Sequence, residues 1–160
     1  MEKLYSRRFD VDFYEKNENT WVARSRLVDD VHEISTEVEV AVPEMIILDA
    51  KIHFSRYPLD VCPKIEEKAK KLVGLNLFKN YQWRSLMIFL GSKGCGNVLS
   101  ILGLGLQSLI YTYYPHQIKI GKMSTEEWER FMVTKLKRAC LGHTLFEKKK
   151  AKWSDTVRND

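Results

Sequence analysis

Three cysteines and one histidine are the side chains best suited to chemistry in this chain: Cys62, Cys95, Cys140 and His143. Cys95 follows Gly91-Ser92-Lys93-Gly94 and directly precedes a long apolar run that reads as a helix. Unpaired backbone N–H groups and the positive end of the helix dipole favour an anion there. A thiolate is the reactive form of cysteine, so Cys95 is the candidate nucleophile or metal ligand. Gly94 and Gly96 let backbone or a ligand approach closely, and with Asn97 they form the expected cofactor-binding positions. Cys62 stands just before Pro63, where a strand passes into a helix. Cys140 and His143 form a Cys-x-x-His, a spacing that one helical turn places on one side and that metals accept. Each residue also has an ordinary role, as a small buried thiol at a tight junction or as a histidine complementing a helix C-terminus.

The set says more than its members, because the three cysteines all fall at the ends of expected elements. Convergence of Cys62, Cys95, Cys140 and His143 would suit zinc or an iron–sulfur unit. The spacings of 33 and 45 residues between the cysteines match no zinc-finger pattern. Without metal, Cys95 could serve as nucleophile in acyl or sulfur transfer, with a histidine as base. A third reading is a non-enzymatic protein-interaction module. It would use the wet face of a sheet, an exposed N-terminal strand and a basic tail, with Trp21 and Trp153 as partner contacts.

The elements that must position these residues fall into two halves. Residues 31–42 alternate, with Ile34, Val38, Val40 and Val42 on one side and Glu33, Ser35, Glu37 and Glu39 on the other. Residues 45–56 repeat the pattern, with Ile46, Leu48, Ala50, Ile52 and Phe54 expected on one face. Such alternation means a sheet with one wet face. The short Pro43-Glu44 break makes the two strands antiparallel neighbours. Residues 21–27 add a third strand across Asp29-Asp30, two acids that read as ordinary turn charges. The second half reads as about four helices, over 63–73, 80–90, 97–113 and from Ser124 to about Cys140. Pro63 suits a first turn and Tyr114-Pro115 a stop. Ser124-Thr125-Glu126-Glu127 is a capping box. Gly103 and Gly105 inside the third helix mark close packing against the sheet. The expected class is α+β, a three-stranded antiparallel meander packed against those helices.

Composition bounds the rest. A chain of 160 residues with 44% hydrophobic and 11% aromatic side chains has the length of a single domain, and its composition is not that of a disordered chain. An N-terminal arm is expected over 1–19, a core over 20–143 and a basic, flexible tail over 147–160. The net charge of +5 is scattered, apart from Lys148, Lys149, Lys150 and Lys152, and no aromatic ladder accompanies it. That argues against nucleic acid as a partner. The most apolar run, 98–111, is interrupted and shorter than the roughly 20 residues of a span, so no membrane partner is expected. The polar start gives no export signal, so a cytoplasmic location is expected, with the thiols free, metal-bound or catalytic. Oligomeric state is left open.

Pro58-x-x-x-Cys62, Leu72-Val73-Gly74, Gly94-Cys95 and the late Cys140, following strands, resemble a bacterial family described only as a domain of unknown function. The likeness runs from about Trp21 to His143. That family's central motif is Gly-Gly-x-x-Gly-Cys-Thr-His-Leu, and Gly91, Gly94 and Cys95 match it. Where the family has Thr-His-Leu, this chain has Gly96-Asn97-Val98, so the motif's histidine is Asn97 here. More loosely, Gly94-Cys95-Gly96 before a helix is similar to the Gly-Cys-Gly element of IscU/NifU-type iron–sulfur scaffold proteins. That likeness implies an iron–sulfur ligand role for Cys95.

Overall fold

A computed structural model describes residues 1–136 of the chain. Residues Met1–Leu109 form one compact unit and Ile110–Asp160 a second. The first unit holds a four-stranded antiparallel sheet, β1 (Arg8–Asn17), β2 (Thr20–Val28), β3 (Glu33–Ala41) and β4 (Ile46–Arg56), in sequential order. A 3-10 helix, Cys62–Leu72, follows, then α1 (Tyr81–Phe89) and the first part of α2 (Gly96–Lys119). The α+β class holds, with one strand more than expected. β1 lies within residues 1–19, which the sequence reads as an arm. Its alternation is real: Phe9, Val11 and Phe13 sit opposite Leu27, Ser25 and Ala23, while Asp10 and Asp12 sit opposite Arg26 and Arg24. The alternation covers only Arg8 to Phe13 and breaks at Tyr14-Glu15-Lys16, which shortens the signal.

The buried face of the sheet is built as the alternation dictates. Leu27, Ile34, Val38, Val40, Ile52 and Phe54 are all buried. On β4 the expected register fails at its start. A register shift, in which Glu39 faces Asp49 but Val40 faces Ile47, inserts one residue. A bulge of this kind flips every side chain on one side of it. Ile47 is therefore buried and Leu48 is exposed.

Helix α2 closes over β2 through Gly105. A Cβ built on Gly105 would collide with the Ser25 hydroxyl, whereas one on Gly103 would meet nothing within 4 Å. Only Gly105 marks the close approach. Gly105→Ala is expected to cost about 1–3 kcal/mol, as overpacking does. Ser25→Ala in the same chain should restore most of that. A urea-denaturation double-mutant cycle reads the coupling, and purely additive effects would contradict the contact.

The second unit contains the remainder of α2 and α3 (Thr125–Lys135). The capping box at Ser124 is formed: the Glu127 N–H donates to the Ser124 hydroxyl at 3.1 Å, and the Ser124 N–H donates to the Glu127 carboxylate at 2.8 Å. Tyr114 stacks on Trp128 with ring centroids 5.2 Å apart. Pro115 does not end α2, as the Tyr114-Pro115 pair had suggested, but lies within it.

Candidate functional site

The turn before α2 is where the sequence concentrates its expected chemistry. The Gly94 N–H donates to the Gly91 carbonyl at 3.0 Å, closing a tight turn with Gly91 at φ 84°. Cys95 is the residue before α2, and its carbonyl accepts from the Leu99 N–H at 3.0 Å. The Lys68 ammonium donates to the Ile88 carbonyl at 3.4 Å and also to the Lys93 carbonyl, tying the 3-10 helix to this turn. Cys62 is the first residue of that 3-10 helix. Both Cys62 and Cys95 are free, half-buried thiols. Cys140 and His143 lie outside the described residues, as do Trp153 and the basic tail. Among the described residues, no three or more His, Cys, Asp or Glu side chains gather as metal ligands. A metal centre of three or more such ligands on these thiols would have to draw on residues 137–160, where Cys140 and His143 lie.

Asn97, the third expected cofactor-binding position, joins a cluster that the sequence reading missed. Its side-chain carbonyl accepts from Arg7 Nη1 at 3.2 Å. Arg7 Nη2 lies 2.7 Å from Asp29 Oδ2, an ion-pair contact without the alignment of a hydrogen bond. Asp29 is not an ordinary turn charge, because its side chain is wholly inaccessible. Its Oδ1 accepts from the backbone N–H groups of Val31 (2.9 Å) and His32 (2.6 Å), and lies 3.1 Å from His32 Nδ1. Burial by itself would push the Asp29 carboxyl up; the two N–H groups, the His32 ring and the Tyr5 hydroxyl outweigh it and hold the carboxyl well below the usual carboxylate range. Arg56 Nη1 donates to the Asp29 backbone carbonyl at 2.6 Å. The sequence signal was the Asp-x-x-His spacing across a β2–β3 turn, where an Asp side chain can accept from backbone two or three residues on.

The second place is the uncovered face of the sheet. Register puts Asp12, Arg24, Glu37 and Lys51 in one row across the four strands, and Asp10, Arg26, Ser35 and His53 in the next. In the first row charge alternates by strand, acidic on β1, basic on β2, acidic on β3 and basic on β4; in the second, Ser35 interrupts the alternation. The middle neutralises itself, with Arg24 Nε 2.8 Å from Glu37 and Arg26 Nη2 2.5 Å from Glu33. The Arg24 hydrogen bond is the main reason the Glu37 carboxyl is held below its ordinary value, with Lys51 adding to it. On β1, Asp10 accepts from Arg8 Nε at 3.0 Å, while Asp12 carries no ion pair among the described residues; the β4 strip is looser. Lys51 stands 3.5 Å from Glu37 and 3.8 Å from Asp49, and His53 Nδ1 stands 3.6 Å from Glu66. The rows line an open groove of about 630 Å³, with Asp10 and Asp12 on one rim and Lys51 and His53 on the other. Trp21, expected to be a partner contact, is buried.

A family model described as a protein of unknown function (DUF2889) matches residues 5–104, from the Tyr5–Arg7 arm through the sheet to the first turns of α2. No curated protein and no solved structure matches the chain.

Proposed function

The chain belongs to the DUF2889 family of proteins of unknown function, and on that footing we propose that it is a non-enzymatic interaction module whose open sheet face binds an extended polar segment of a partner protein. The groove and its oppositely charged rims support this reading most directly. Three strand spacings separate β1 from β4, roughly 14 Å. A matching segment lies across the strands, with a basic side chain over Asp12 and an acidic one over Lys51. In an extended chain that separation is about four residues. The edge strand β1 adds a row of backbone groups that pair with no other strand among the described residues.

The test uses capped five-residue peptides with Lys and Glu at the two ends, compared with Lys/Lys and Glu/Glu versions. Amide shifts in the full chain should saturate at Asp10, Asp12, Lys51 and His53 with the mixed peptide first. Asp12→Lys should move the preference to the Glu/Glu peptide by about fivefold, the scale of one exposed ion pair. Shifts that do not saturate, or that lie away from these residues, would sink the reading. A metal or iron–sulfur unit on Cys62, Cys95, Cys140 and His143 is a separate proposal, supported by the two free thiols and tested by metal content after anaerobic purification.

A further inference from the structure

Helix α1 carries large side chains on two opposite faces. Tyr81, Ser85 and Phe89 face inward and are buried. At about 100° per residue, Trp83, Leu86, Met87 and Leu90 fall together on the opposite side. Trp83, Met87 and Leu90 are 67%, 66% and 62% exposed. Scattered apolar residues on a surface are ordinary, whereas a contiguous stripe marks a contact site. The charged residues of α1 and of the turns on either side of it have one sign. From residue 68 to residue 125 the sequence contains no Asp or Glu. Lys79, Arg84 and Lys93 flank the stripe, are exposed, and take part in none of the ion pairs among the described residues. The Lys68 bonds to the Ile88 and Lys93 carbonyls hold the end of α1 and the following turn in place.

We propose that the outward stripe of α1 docks on an anionic lipid surface. Like charge opposes a second copy of the chain as occupant. A two-turn ridge can enter a fluid interface without a matching groove, its tryptophan at headgroup level and its basic neighbours on the anionic headgroups. No described helix is long and apolar enough to cross a membrane; the attachment is from one side, which departs from the expectation of no membrane partner. The proposal does not depend on the sheet groove.

The experiment is flotation of the full chain with phosphatidylcholine vesicles, with and without about 30% phosphatidylserine. Flotation is expected only with the anionic vesicles. Arg84→Gln or Lys93→Gln should weaken it by about fivefold each, and Trp83→Ser with Met87→Ser should abolish it. All four side chains are exposed, so circular dichroism should be unchanged, and the charge variants give a second reading if the stripe variant misfolds. Asp12→Asn, in the groove, should float normally, so this proposal and the groove reading fail separately. Absent flotation overturns the proposal, and so does equal flotation with neutral vesicles. A dimer in sedimentation that Trp83→Ser dissolves would assign the stripe to self-association instead.

Discussion

Gly94→Ala is expected to destabilise the chain by about 4 kcal/mol, at the upper end of single substitutions. A Cβ at this position would drive into the Phe89 carbonyl and would sit 2.8 Å from the Leu90 nitrogen. These are backbone atoms at the end of α1 and cannot swing aside as a side-chain tip can. The same turn holds the Gly94-to-Gly91 hydrogen bond and receives Lys68 at the Lys93 carbonyl. Relieving the collision therefore means opening the junction that places Cys95 at the head of α2. Gly96 is the control. A Cβ there meets nothing within 4 Å, so Gly96→Ala should change stability by no more than about 0.5 kcal/mol. Equilibrium urea unfolding of the two variants reads the difference. Equal stabilities would mean the Gly91–Gly94 turn is not built as described.

Asp29→Ala is expected to cost about 3 kcal/mol near neutral pH, because it leaves buried donors without an acceptor. The Val31 and His32 N–H groups lose their partner, and Arg7 loses its counter-charge. The pH dependence has a definite sign. Asp29 titrates in the folded chain well below the unfolded value of about 3.9. Its contribution is therefore complete above that unfolded value and is lost as pH falls through the folded one. Asp29→Asn keeps an acceptor oxygen but has no charge to lose. Stability measured from neutral to about pH 3 should fall less steeply for Asp29→Asn than for the natural chain, so the curves converge in acid. Parallel curves would show that the carboxylate is not the ionised centre of this network. Arg7→Ala removes the ion pair and the Asn97 bond but leaves the Val31, His32 and Tyr5 groups that hold the carboxyl down, so it should give a smaller loss and keep most of the natural chain's acid slope.

Several local signals were legible where one short segment sufficed to produce them. The alternation of β3, the capping box at Ser124 and the antiparallel turn at Pro43-Glu44 each depend on neighbours in sequence, and each is present. The β1 alternation and the Asp29-x-x-His32 turn were local and still missed, whereas the β4 register and the α2 glycines needed a second segment. The bulge that exposes Leu48 depends on how β4 registers against β3. Pro115 stays inside α2 although proline removes a helix hydrogen bond. Gly103 and Gly105 look alike in sequence, and only the approach of Ser25 separates them.

By itself, the amino-acid sequence determined the α+β class, one wet and one dry sheet face, the glycine-bounded turn ahead of Cys95 and the stretch without acids around α1. These follow from period, turn chemistry and composition, all properties of consecutive residues. Tertiary structure decided that Asp29 is a buried ion joined to Arg7 and, through it, to Asn97, and that charge on the open face runs in opposite strips from β1 to β4. It also decided that Trp21 is core while Trp83 is surface. Burial and pairing between distant residues arise only when strands take their register and helices settle on the sheet. That is why two tryptophans, or two aspartates, that read alike along the chain end in opposite environments.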